Sequence, residues 1–115
     1  MSKRAHKSPL PVIGQTHEGR LLVVNGVYAL YETHGLPFDV IFGALKDRGL
    51  IPSWLHVYRD ARKAGIAHDR LLGQLDPAIV DSYGTTFRDG ILKTLGQLKS
   101  LTIEQIGKVI LGTGG

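Results

Sequence analysis

The sequence predicts an all-α fold: a single small domain built as an irregular or orthogonal bundle of about six helices, with an extended amino-terminal arm. Three observations predict it. Apolar residues recur at three- and four-residue spacing from Thr16 to Leu111; glycine and proline punctuate that pattern; and no stretch alternates convincingly as a strand would. The chain has 115 residues, 43% of them hydrophobic and 21% charged, enough for one core but not two. The predicted division is residues 1–15 as a basic arm, 16–112 as the helical domain and 113–115 as a flexible tail.

Within residues 1–15, Lys3, Arg4 and Lys7 precede Pro9, Pro11 and Gly14, a composition that resists a helix and reads as extended. From Thr16, Leu21, Leu22, Val24, Val27, Tyr28, Leu30 and Tyr31 recur at helical spacing until Gly35, which suits a left-handed terminator. The competing reading is a short isolated strand at Leu22–Val24. Pro37 opens a second helix carrying Phe38, Ile41, Phe42 and Leu45 on one face, and Gly49 stops it. Ser53 is a candidate N-cap for a third helix running to Gly65. Trp54, Val57, Tyr58, Ala61 and Ala64 form its apolar stripe; His56, Arg59, Asp60 and Lys63 lie opposite, with Arg62 at the margin.

A short fourth helix is expected over His68–Leu75. Asp76 followed by Pro77 then reads as the start of a longer helix with Val80, Tyr83, Phe87, Ile91 and Leu98 on its stripe, and Gly84 leaves a break open. Thr102 with Gln105 forms a capping box ahead of Ile103, Ile106, Val109, Ile110 and Leu111, and Gly112 ends that helix. Trp54, Phe38, Phe42, Tyr58, Tyr83 and Phe87 are the expected core aromatics.

Composition excludes several functions. The chain has no cysteine, hence no disulfide framework, thiolate zinc site, iron–sulfur cluster or cysteine nucleophile. Its longest strongly apolar run, Leu21–Val24, is far short of a membrane span, and Ser8, Pro9 and Pro11 interrupt the place of a signal-peptide core, so a cytoplasmic protein without membrane partners is expected. His17, His34, His56 and His68 have no metal-ligand spacing; no serine sits in a nucleophile elbow; no glycine-rich phosphate loop occurs. The expectation is a protein that is not an enzyme, with neither metal nor cofactor.

The net charge is +4, and it is unevenly placed: residues 1–20 carry +3, 46–65 carry +3 and 91–115 carry +2, whereas 21–45 and 66–90 carry −2 each. A tight pair of helices, the second presenting cations, is the arrangement that reads a DNA major groove. Residues Leu36 to Gly65 resemble the helix-turn-helix region of phage packaging small subunits and small regulators, although the Gly49–Ser53 connection is longer and Asp47 and Asp60 interrupt the basic surface. The resemblance implies DNA binding and an association with a phage or mobile element.

The expected function is therefore a small basic nucleic-acid-binding accessory protein using a helix-turn-helix-like unit at residues 37–64. Its candidate contacts are Lys3, Arg4, Lys7, His56, Arg59, Arg62 and Lys63. That reading requires the cations around Trp54 to stand clear of carboxylates in the same molecule. The alternative is a homo-oligomeric assembly, adaptor or virion structural protein, because Leu21–Val24 and Ile106–Leu111 cover more than one helical face.

Overall fold

Gly26 divides the expected first helix. Held at φ 81°, it starts a helix at Val27 and leaves the preceding β-branched residues extended. The computed structural model describes residues 10–16 and 19–112, and over them the chain is mostly helical with one small sheet. Its elements are β1 (Val12–Gln15), β2 (Leu22–Val24), α1 (Val27–His34), α2 (Phe38–Asp47), β3 (Leu50–Pro52), α3 (Trp54–Lys63), α4 (His68–Tyr83), α5 (Thr85–Gly96) and α6 (Ile103–Gly112).

The mostly helical architecture agrees with the expectation, and the small three-stranded sheet is an addition to it. β2 is central: it pairs antiparallel with β1, Gln15 opposite Leu22 and Val12 opposite Val24 with a bulge between Val12 and Gly14, and parallel with β3, Leu22 opposite Leu50. The short strand is therefore not isolated, and residues 12–15 of the expected arm belong to the domain. Thr16, expected to begin a helix, instead closes the β1–β2 connection. Its amide donates to the Leu21 carbonyl at 2.9 Å, and its hydroxyl accepts from the Leu21 amide at 3.3 Å.

The Leu22 amide donates to the Gly49 carbonyl at 3.0 Å, and the Ser53 amide to the Val24 carbonyl at 2.8 Å. Because successive carbonyls alternate along a strand, the Leu50 carbonyl points away from β2. The buried Tyr83 hydroxyl donates to it at 2.7 Å, giving that otherwise open strand edge an internal partner.

α4 runs through Pro77, where the sequence suggested a new start. The proline ring would crowd the carbonyl four residues back and leave it without a donor. That residue is Gly73, which like Pro77 lies on the exposed side of the helix, where water rather than a buried donor is at hand for the carbonyl. Leu71, Leu75, Ala78 and Ile79 meanwhile form one uninterrupted buried stripe across the site. Asp76 bonds Arg88 of α5 at 2.7 Å. The break falls at Gly84 instead, with φ 93° and ψ 169°, a conformation essentially confined to glycine.

The core joins both sides of that break. Phe42, Tyr58, Leu71, Leu75, Ile79, Leu95 and Ile106 are fully buried. α2 packs on α4, α4 on α5, and α3 is bordered by α1, α4, α5 and α6. Four of the six expected core aromatics are buried. Trp54 is only half-buried, and Phe87 is 40% exposed. Both line a groove beside α5, which accounts for their exposure. The expected capping box is present: Gln105 Oε1 accepts from the Thr102 amide at 2.9 Å, and Thr102 Oγ1 from the Gln105 amide at 3.1 Å.

Candidate functional site

α3 buries Val57, Tyr58 and Ala61 and turns its cations outward, as the stripe predicts, but three of the four candidate residues there are engaged internally. Arg59 Nη2 lies 2.9 Å from Asp60 Oδ1 and Arg59 Nε donates to the same oxygen at 3.0 Å. Partly exposed pairs of this kind add about 0–1 kcal/mol to stability, yet they cancel the charge an outside anion would meet. His56 Nδ1 sits 2.6 Å from Ser53 Oγ. Burial first, then Arg59, pushes the His56 pKa down, with Asp60 opposing, so its neutral form is favoured.

Arg62 belongs to a chain of three groups. Its Nη1 donates to the Tyr58 hydroxyl at 3.0 Å while its guanidinium lies 5.8 Å from the centre of that ring. The Tyr58 hydroxyl in turn lies 2.6 Å from His68 Nδ1. Since Tyr58 accepts from Arg62 and has one proton of its own, the simplest assignment has it donating to an unprotonated His68 Nδ1, which places the imidazole proton on Nε2. Burial lowers the His68 pKa; Asp69 raises it, and Lys99 and Arg62 lower it further. Lys63 is exposed in the last turn of α3.

No family model, curated protein or solved structure matches this chain. Lys3, Arg4 and Lys7 lie outside the described residues, so α3 supplies what can be placed. Arg62 and Lys63 occupy the end of α3, where cations complement the negative pole of the helix. Lys99 joins them, acting with Arg62 on His68 and lying 3.5 Å from Asp69. Lys99 was absent from the sequence-derived site. Its distance along the chain hid it, because α5 must fold back before it can approach α3.

α2 and α3 are joined through β3 rather than by a tight turn, and α3 has neighbours on several sides. Among the described residues, no group of three or more histidines and carboxylates could hold a metal ion, and no helix is long and apolar enough to cross a membrane.

A second feature was not legible in the motifs. A groove of about 1000 Å³ opens between the sheet, the start of α3 and the start of α5. Trp54, Leu55, Phe87 and Ile91 supply apolar wall, with Arg20 and Lys46 on its lining.

Proposed function

We propose that this protein is a small, basic, non-enzymatic accessory protein that binds nucleic acid through its phosphates, from the carboxyl-terminal end of α3. The observation that carries the reading is the pair of cations in the last turn of α3, Arg62 and Lys63, with Lys99, 3.5 Å from Asp69, acting together with Arg62 on His68. Arg62 is already held by Tyr58, so ordering it on a phosphate would cost less side-chain entropy than ordering a free arginine. Lys3, Arg4 and Lys7 would extend the contact along the backbone. His56 and Arg59 contribute less in this version, because Ser53 and Asp60 occupy them. Association with a phage or mobile element rests on the resemblance of residues Leu36 to Gly65 alone, and a cytoplasmic setting belongs to the same proposal.

The test is fluorescence anisotropy with duplex DNA over a salt series. Neutralising four to six phosphates gives a slope of log affinity against log salt of about −4 to −5, and Lys63→Ala with Lys99→Ala should reduce its magnitude by about 1 each. Arg59→Ala should change it least. Absence of binding at low salt, or a slope that ignores Lys63 and Lys99, would overturn the reading.

A second reading is favoured by a separate observation. Val109 and Leu111 on α6 and Val12 and Leu22 on the sheet remain exposed, Leu111 at 80%. Such residues suit a homo-oligomer or a protein partner. Light scattering across a concentration range tests this, with Val109→Glu expected to reduce the mass of any assembly before it affects folding.

A further inference from the structure

We infer that the groove beside α5 binds a small amphiphilic anion, an acyl or aryl body carrying one anionic head. The inference is independent of the nucleic-acid reading. Its first support is shape and lining: about 1000 Å³ lies at the upper end of the range for small-molecule sites, and Leu21, Val23, Ile51, Leu55 and Ile91 line it beside the Trp54 and Phe87 rings. Hydroxyls of Thr16, Ser53, Thr86 and Thr94 and the indole N–H of Trp54 are the uncharged polar groups among the lining side chains.

The second support is electrostatic, and it comes from several elements at once. Lys46 lines the groove from the end of α2; its Nζ donates to the Ser82 carbonyl at 3.3 Å and lies 6.0 Å from the Tyr83 ring centre, which holds the ammonium at the rim. Ser53, Trp54 and Leu55 bring the amino end of α3 to the same wall, and Thr86 and Phe87 bring the first turn of α5.

Neither helix start has a side-chain cap: Ser53 Oγ is turned to His56, and α5 is preceded by Gly84. Their first amides therefore retain donor capacity and the partial positive charge of a helix amino end. No aspartate or glutamate lines the groove among the described residues. An apolar trough with a positive rim and no acid complements an apolar anion and disfavours a neutral or cationic amphiphile of the same size.

Trp54 is the single tryptophan of the chain, so its emission reports on this groove alone. Dodecanoate, dodecanol and dodecyltrimethylammonium, each kept below micelle formation, are titrated against the full chain while Trp54 emission and Tm are followed. Dodecanoate should give a saturable change and raise Tm, binding about tenfold or more tighter than dodecanol, the factor expected for hydrogen bonding to a charged head. Dodecyltrimethylammonium should give none.

Lys46→Gln should weaken dodecanoate several-fold and leave dodecanol unchanged. Gly90 lies in the groove wall on α5, and a Cβ there meets nothing within 4 Å, so Gly90→Leu should fill the trough, keep the fold and abolish both responses. Equal affinity for dodecanoate and dodecanol, no saturable response to dodecanoate, or a folded Gly90→Leu that binds like the parent would each overturn the inference.

Discussion

Removing one oxygen atom from Tyr83 isolates the bond that closes the outer edge of β3. Tyr83→Phe leaves the ring against Phe42, Trp54 and Phe87, with centroids at 6.4, 6.1 and 6.1 Å, so packing is kept and only the 2.7 Å bond to the Leu50 carbonyl is lost. Leu50 and Tyr83 are both buried, and the carbonyl has no β-ladder neighbour on that side. A buried acceptor stripped of its donor costs about 1–3 kcal/mol.

At about 2.1 cal/mol/K per residue, unfolding 115 residues has an entropy near 0.24 kcal/mol/K, so 1 kcal/mol corresponds to about 4 °C. Tyr83→Phe should lower Tm by about 4–12 °C when followed by far-ultraviolet circular dichroism. Urea titration should move the midpoint without changing the slope. A Tm within about 1 °C of the parent would refute the reasoning, since the carbonyl would then have no need of the phenol. Burial also raises the Tyr83 pKa, so its phenol should remain protonated at a pH where an exposed tyrosine ionises, and absorbance during alkaline titration reads this directly.

Other perturbations address other parts of the fold. Because burial depresses the His68 pKa below its ordinary 6.5, the unfolded chain binds the proton more readily; the stability this supplies is complete above about pH 6.5 and is lost as pH falls through the folded value. His68→Gln should flatten that part of a pH–stability profile measured by urea unfolding, and an unchanged profile would discount the Tyr58–His68 contact. Gly84→Ala should cost about 1–3 kcal/mol although nothing crowds the new Cβ, because φ 93° itself disfavours a side chain; an unshifted Tm would contradict this. Thr102→Ala should cost about 0.5–2 kcal/mol and accelerate amide exchange most at the start of α6, the turn that its hydroxyl caps.

The helices were legible where a periodic apolar face coincided with a glycine or proline stop. Phe38, Ile41, Phe42 and Leu45 mark α2, and Trp54, Val57, Tyr58 and Ala61 mark α3, because each set occupies one side of a cylinder and ends where the backbone must turn. Of the strands, only Leu22–Val24 was legible, and only as the competing reading to a helix. Each has three or four residues, too few to display alternation, and the partner that stabilises Leu22 is Leu50, across two intervening helices.

Asp76–Pro77 carried a correct local signal that tertiary packing overrode: the buried Leu71–Ile79 stripe favoured one continuous helix, and Gly73 and Pro77 both lie on its exposed side. The basic face of α3 was readable from spacing, but the ties of Arg59 to Asp60 and of Arg62 to Tyr58 depend on which rotamers the fold selects. The groove was hidden more deeply. Part of its positive character comes from helix ends that bear no charged residue, and its walls are drawn from segments between Thr16 and Thr94.

The two partners of β2 impose an order on folding. β1 lies one short connection away and can close as a hairpin on a microsecond scale, whereas β3 must be brought back across α1 and α2. During synthesis from the amino terminus, the hairpin is complete in the chain before β3 has been made. β2 therefore waits with one open flank, vulnerable to a foreign strand, until Leu50–Pro52 arrives to cover it. The tyrosine latch from α4 comes later still, so the sheet is started by its nearest neighbours in sequence and sealed by a residue more than thirty positions further on.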